Sequence, residues 1–214
     1  MKLLRSRILW GLLLIIMGVL FLMESLGLLA LGGAWSILFF AAAIAFGSVY
    51  FENRDAWWAI IPAMTLFGLG ALIVITTYVG PELAEWGAGV FLGSIGLAFW
   101  LVYFATRQEQ WWAIIPGGVL LALATSLILE PFIGGEAFAG VFMLGMGITF
   151  ALVYLLPTNQ GPMGWALIPA GILGVIGVGL FLAALDVPTA TVNLIWPLIL
   201  IFIGGYLLLR SLRR

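Results

Sequence analysis

Eight apolar runs, each close to 20 residues long, follow one another along this chain with only short polar breaks. They cover approximately 8–29, 34–51, 57–78, 86–104, 111–129, 137–155, 163–185 and 191–209. A helix rises about 1.5 Å per residue, so about 20 apolar residues match the ~30 Å hydrocarbon core of a bilayer. Spanning strands would alternate polar and apolar residues at period two, and these runs are continuous. The connectors are about three to eight residues long, which makes consecutive helices antiparallel neighbours. The first run follows Met1 to Arg7 in the manner of a secretory signal, but it exceeds the about 7–15 residues of a signal's apolar region. It reads as a retained first helix.

The expected fold is therefore an all-α integral membrane protein with eight transmembrane helices in a single membrane domain, 1–214. Composition agrees. Only 8% of residues are charged, against about 25% in soluble domains, so the chain lacks the polar surface to coat a globule. The lipid bilayer is its expected partner, and no nucleic acid is expected.

Absent residue types narrow the chemistry. The chain has no cysteine and no histidine, and its only lysine is Lys2. Thiolate nucleophiles, the usual zinc sites, imidazole-ligated haem and an intramembrane Schiff base are all excluded. No acid or base falls in the centre of any apolar run. Ion-coupled transporters and intramembrane hydrolases keep such groups at depth. The reading is a non-enzyme with no cofactor and no metal.

The charges are sorted by side. Lys2, Arg5 and Arg7 precede the first run, Arg54 follows the second, Arg107 the fourth, and Arg210, Arg213 and Arg214 the eighth. All eight basic residues thus share one side with Glu52, Asp55 and Glu109, while Glu24, Glu82, Glu85, Glu130, Glu136 and Asp186 occupy the other. Basic loops stay in the cytoplasm. A multi-pass protein of the bacterial cytoplasmic (inner) membrane, with N- and C-termini cytoplasmic, is expected.

The runs also repeat. Trp57-Trp58-Ala59-Ile60-Ile61-Pro62 returns as Trp111-Trp112-Ala113-Ile114-Ile115-Pro116, and in eroded form as Gly164-Trp165-Ala166-Leu167-Ile168-Pro169. Phe46/Tyr50, Phe99/Tyr103, Phe150/Tyr154 and Phe202/Tyr206 form four Phe-x-x-x-Tyr pairs whose tyrosines recur every 51–53 residues. The unit is one helical hairpin present four times, over approximately 7–53, 54–106, 107–158 and 159–214. Trp10 matches the tryptophan in the first copy, with Leu14 in the proline's place. Each unit begins and ends on the same side, so these are parallel repeats rather than the inverted repeats of many transporters. The hairpins could close a pseudo-fourfold ring or fold into a compact bundle.

Each motif carries two readings. Trp57, Trp58, Pro62, Trp111, Trp112, Pro116, Trp165 and Pro169 suit an interfacial anchor and helix entry, since indoles favour the headgroup layer and a proline is tolerated near a helix start. The alternative is a hinge for gating. The Phe-x-x-x-Tyr rings share a helix face and suit anchoring and packing; the alternative is a lined vestibule. Gly89-x-x-x-Gly93 and Ala166-x-x-x-Ala170-x-x-x-Gly174 suit close helix packing, or else a homo-oligomer contact. Glu24, Glu82, Glu130 and Asp186 place an acid at the outer end of every hairpin, as in a cation-concentrating ring. Their offsets from the tryptophan differ (14, 24, 18 and 21 residues), which favours plain solvated charges.

The segment Arg7-Ile-Leu-Trp10-Gly11 through Gly18, Phe21, Glu24-Ser25, Gly27 and Leu29 resembles the small hydrophobic domain of bacterial LiaI/LiaF-like membrane proteins. Asn193-Leu-Ile-Trp196-Pro197 through Gly204-Gly205-Tyr206 resembles the Trp-Pro helix that closes that domain. The resemblance covers about the first and last 50 residues. It implies an accessory protein of envelope-stress sensing or regulation, acting without catalysis. This chain departs from the pattern in having four hairpins and no soluble domain.

Two functions follow as expectations. One is a non-enzymatic scaffold, accessory subunit or envelope-stress regulator that acts through helix–helix contacts with a membrane-protein partner or with itself. The other is a passive channel or small-solute permease built from the four hairpins.

Overall fold

A computed structural model describes residues 15, 18–27, 32–106, 109–161 and 163–184. Six of its helices are long and apolar enough to cross a bilayer. They are α1 (Ala34–Glu52), α2 (Ile60–Tyr78), α3 (Gly87–Ala105), α4 (Ile114–Ile133), α5 (Gly135–Leu155) and α6 (Leu167–Ala184). The architecture is that of an all-α, multi-pass membrane protein, and no strand occurs among the described residues. The six match the second to seventh runs. Of the first run, residues 18–25 are helical and the rest lies largely outside the described residues; the eighth run lies wholly outside them.

Lipid offers no hydrogen bonds, so each run closes its backbone on itself as helix. One joint is tighter than its polar break suggests. The sequence places a connector over 130–136, yet α4 runs to Ile133 and α5 starts at Gly135. A single residue joins them. Gly134 turns the chain at φ 78° and donates its N–H to the Glu130 carbonyl at 2.9 Å. A side chain is strained at that φ, which is why glycine stands there. Glu130 and Glu136 are consequently helix-end residues.

Each long helix packs chiefly on the helix before it and the helix after it. The packed surfaces are built from small residues. In α4 the buried set is Ile114, Gly117, Gly118, Ala122, Ala124 and Ser126; in α3 it includes Gly87, Gly89, Ser94, Gly96 and Ala98. Large residues point outward, with Ile44 72% and Leu155 69% exposed. That inverts the soluble pattern. Lipid is as apolar as leucine, so nothing drives large side chains inward, and close backbone approach supplies the attraction.

The contacts keep a register along the chain. Gly96 and Gly147, each three residues before the phenylalanine of its pair, lie against the carbonyls of Gly117 and Ala170, each one residue after its proline. Methyl groups placed on these glycines would sit 3.0 and 3.2 Å from those oxygens. On the opposite helix faces, Gly68 meets Ser94 and Gly145 meets Ala122. These pairs also join corresponding positions, six residues after the proline and five before the phenylalanine.

Both small-residue stripes lie at internal interfaces. Gly89 and Gly93 face α4 at Ala124, and Ala170 and Gly174 face α5 at Gly147.

Candidate functional site

The most densely buried part of the molecule is where the repeated motifs enter their helices. Trp57–Ala59, Trp111–Ala113 and Gly164–Ala166 each form one 3-10 turn running straight into α2, α4 and α6. The turn explains how the prolines are accommodated. The Ile60 N–H reaches the carbonyls of both Trp57 and Trp58, and Ile114 and Leu167 repeat the arrangement. The carbonyl freed by a proline four residues later therefore keeps a donor. Pro62, Pro116 and Pro169 each stand third in their helix, where the N–H has no helical partner in any case.

Within each turn the three positions divide their tasks. Trp58, Trp112 and Trp165 are 51%, 38% and 50% exposed, whereas Ala59, Ala113 and Ala166 are fully buried. The alanines are the functional positions that the motif's tryptophans obscure. Each entry turn packs on the long helix that precedes it, and the alanine recurring in all three copies was the available signal of a buried position. Trp57 and Trp111 are half-buried against the same cluster, which also holds Ile60, Val102, Tyr103, Ile114, Val153 and Met163.

Each outward tryptophan meets the phenylalanine of the preceding Phe-x-x-x-Tyr pair. Phe46–Trp58, Phe99–Trp112 and Phe150–Trp165 have ring centroids 6.5, 6.0 and 6.1 Å apart, at 79°, 72° and 73°. All three are edge-to-face pairs, the geometry favoured by the ring quadrupoles. Trp112 also touches Trp57, with centroids 6.3 Å apart. Its indole N–H donates to the Gln110 side chain at 2.6 Å.

The tyrosines diverge. Tyr103 is buried, and its hydroxyl donates to the Pro157 carbonyl at 2.8 Å, tying α3 to the segment that follows α5. Tyr50 is half-buried beneath the Arg54 guanidinium, 4.7 Å from its ring centroid, a cation–π contact. Tyr154 is 36% exposed. Phe202 and Tyr206 lie outside the described residues. Replacing Tyr103 with Phe should lower stability by ~1 kcal/mol by leaving the Pro157 carbonyl unpaired. A thermal melt in detergent checks this, with Tyr154→Phe expected to change nothing.

The described acidic side chains are not gathered into a metal-binding cluster. Glu24 accepts from the Gly32 N–H at 3.0 Å and from the Trp35 indole N–H, while Phe21 stacks on Trp35 at 4.4 Å. It closes a turn. Glu130 is exposed at the end of α4. The Glu82 side chain and Asp186 lie outside what the structure describes. No cluster of metal-ligating side chains occurs among the described residues.

Grooves open on the surface of the described residues. One, of about 480 Å³, is lined by Trp100, Leu121, Thr125, Leu144, Thr149 and Phe181 among others. Two more, of about 460 and 540 Å³, share Gly47, Phe51, Ala63 and Met64 beside α1 and α2. The hydroxyls in this region are turned inward on their own helices: Thr125 donates to the Leu121 carbonyl, Ser126 to Ala122, Thr149 to Gly145 and Ser94 to Phe91, all at 2.7–2.9 Å. The site therefore offers apolar surface and ring edges.

No known protein family, characterised protein or solved structure matches the chain.

Proposed function

We propose that this chain is a non-enzymatic protein of the bacterial inner membrane, acting as a scaffold, accessory subunit or envelope-stress regulator through helix–helix contacts. Its eight apolar runs form four tandem hairpins, with both termini and the aromatic helix entries on the cytoplasmic side. The repeated register of small-residue contacts and the three equivalent Phe–Trp pairs support the repeat. The segregation of all eight basic residues supports the orientation. Trp58, Trp112 and Trp165 anchor the second, third and fourth hairpins in the headgroup layer.

One observation carries the choice of function. Groove surfaces are apolar, and the nearby hydroxyls commit their protons to carbonyls of their own helices, leaving only oxygen lone pairs to offer a permeating species. A channel would turn such groups toward the permeating species. The resemblance to LiaI/LiaF-like proteins points the same way.

Two measurements test the proposal. Reconstituted in liposomes, the protein should pass potassium and glycerol no faster than empty vesicles. Gently extracted from membranes, it should carry a stoichiometric membrane-protein partner or assemble with itself. Flux above the empty-vesicle level would replace this reading with the permease.

A further inference from the structure

Two of the surface grooves meet beside a single guanidinium. Gly47, Phe51, Ala63 and Met64 wall both of them. From there one groove runs toward α3 at Leu101 and Phe104, and the other follows α1 past Ile44 to Phe40. At the far end of the second, the Phe40 and Phe67 rings lie 5.5 Å apart. Phe40 precedes Phe51 by eleven residues, which is ~16 Å of helix. That is about half of the ~30 Å hydrocarbon core, the depth of one leaflet. Apart from Ser48 and Tyr50, every residue lining the two grooves is apolar, and the Ser48 hydroxyl donates to the Ala45 carbonyl at 2.8 Å. A forked apolar trough one leaflet deep matches the two acyl chains of a phospholipid.

A charge sits at the fork. Arg54 is exposed just past the end of α1. Its guanidinium carbon lies 4.7 Å from the Tyr50 ring centroid and 5.1 Å from that of Phe51, and both residues are groove walls. A cation–π contact holds the charge without supplying a hydrogen-bond acceptor, so the five N–H donors remain for a phosphate, which a guanidinium grips in pairs. Glu52 and Asp55 bracket Arg54 on the chain; both are exposed, and neither lines a groove. One base between two acids makes this corner net negative. A purely anionic headgroup gains the arginine but meets neighbouring carboxylates. A phosphate joined to a primary ammonium answers both signs, since the ammonium brings three N–H donors to the acids.

We infer that the forked grooves beside α1 bind one zwitterionic phospholipid of the phosphatidylethanolamine type. Its phosphate is held by Arg54, its ammonium by Glu52 and Asp55, and its two chains lie toward Leu101 and Phe104 and toward Ile44 and Phe40. The site needs only the bilayer-spanning helices, so it stands whether the chain is a scaffold or a permease, and liposome flux would leave it untouched.

Native mass spectrometry of the full chain tests this, with the protein freed of endogenous lipid in detergent and offered equal amounts of dioleoyl phosphatidylethanolamine, phosphatidylcholine and phosphatidylglycerol. The parent should retain one phosphatidylethanolamine several-fold more than either other lipid. Arg54→Gln should lower that retention several-fold. Gly47→Leu should lower retention of all three by filling the fork; a Cβ at Gly47 meets nothing within 4 Å, so the helices keep their packing. Glu52→Gln combined with Asp55→Asn should reverse the preference in favour of phosphatidylglycerol. Melts in the same detergent, expected to match the parent, separate loss of the site from loss of the fold. A parent that prefers phosphatidylglycerol or phosphatidylcholine would overturn the assigned headgroup. Equal retention of the three lipids, or retention at the parent's level by Arg54→Gln and Gly47→Leu, would overturn the site itself.

Discussion

Gly140→Val should loosen α6 from α5, one of the largest effects expected at a glycine among the described residues. Even the first added carbon would lie 2.6 Å from the Phe181 amide nitrogen and 2.8 Å from its Cα. Those are backbone atoms, so no rotamer change in α6 relieves the clash and the helix must move bodily. Overpacking ordinarily costs ~1–3 kcal/mol because side chains yield. Here the cost should reach at least the top of that range. At ~2–4 °C per kcal/mol for a chain of this size, the melting temperature should fall by roughly 6–12 °C. Size-exclusion chromatography in mild detergent should show a broadened or aggregated peak. Gly47→Ala supplies the contrast. A methyl there meets nothing within 4 Å, and alanine is favoured over glycine in helices by up to ~1 kcal/mol, so this variant should melt no lower than the parent. If Gly140→Val melts with the parent, α5 and α6 do not approach as described.

That contrast also shows what the sequence could disclose. The helices are apolar on every side, so the apolar runs locate the six described helices but cannot say which face packs. In lipid that information passes to side-chain size. Gly89-x-x-x-Gly93 was legible because its spacing marks one face. The partners of Gly140, Gly145 and Gly177 were not, because each depends on the rotation of a neighbouring helix. The same limit held at the motifs. Trp-Trp-Ala-Ile-Ile-Pro announced a helix entry, but its buried alanine and its pairing with the preceding phenylalanine depend on how the chain returns after the connector. Glu24 was legible as an acid near the end of its apolar run. Its bonds to Gly32 and Trp35 belong to the turn that follows, and no local pattern encodes them.

The tryptophans offer the second large effect, and here rank is more telling than size. Among the described residues, Trp58 and Trp165 each make one edge-to-face contact, with Phe46 and Phe150. Trp112 makes two, with Phe99 from α3 and with Trp57 from the preceding helix entry. Simple burial cannot separate them, because each ring is substantially exposed and the surrounding medium replaces whatever ring surface is lost. The pair contacts do separate them. At ~0.5–1.5 kcal/mol for each aromatic pair, Trp112→Ala should cost ~1–3 kcal/mol and the other two about half as much. Trp112→Phe divides the contribution further, since a smaller ring keeps the edge contacts while losing the bond to Gln110; it should recover most of the lost stability. The readout is the melting temperature of each purified variant, with Trp57→Ala paired against Trp112→Ala in a double-mutant cycle. A coupling energy near zero would mean that the first and second helix entries stand independently, and the aromatic cluster would then be a set of separate anchors rather than the joint that holds successive hairpins in register.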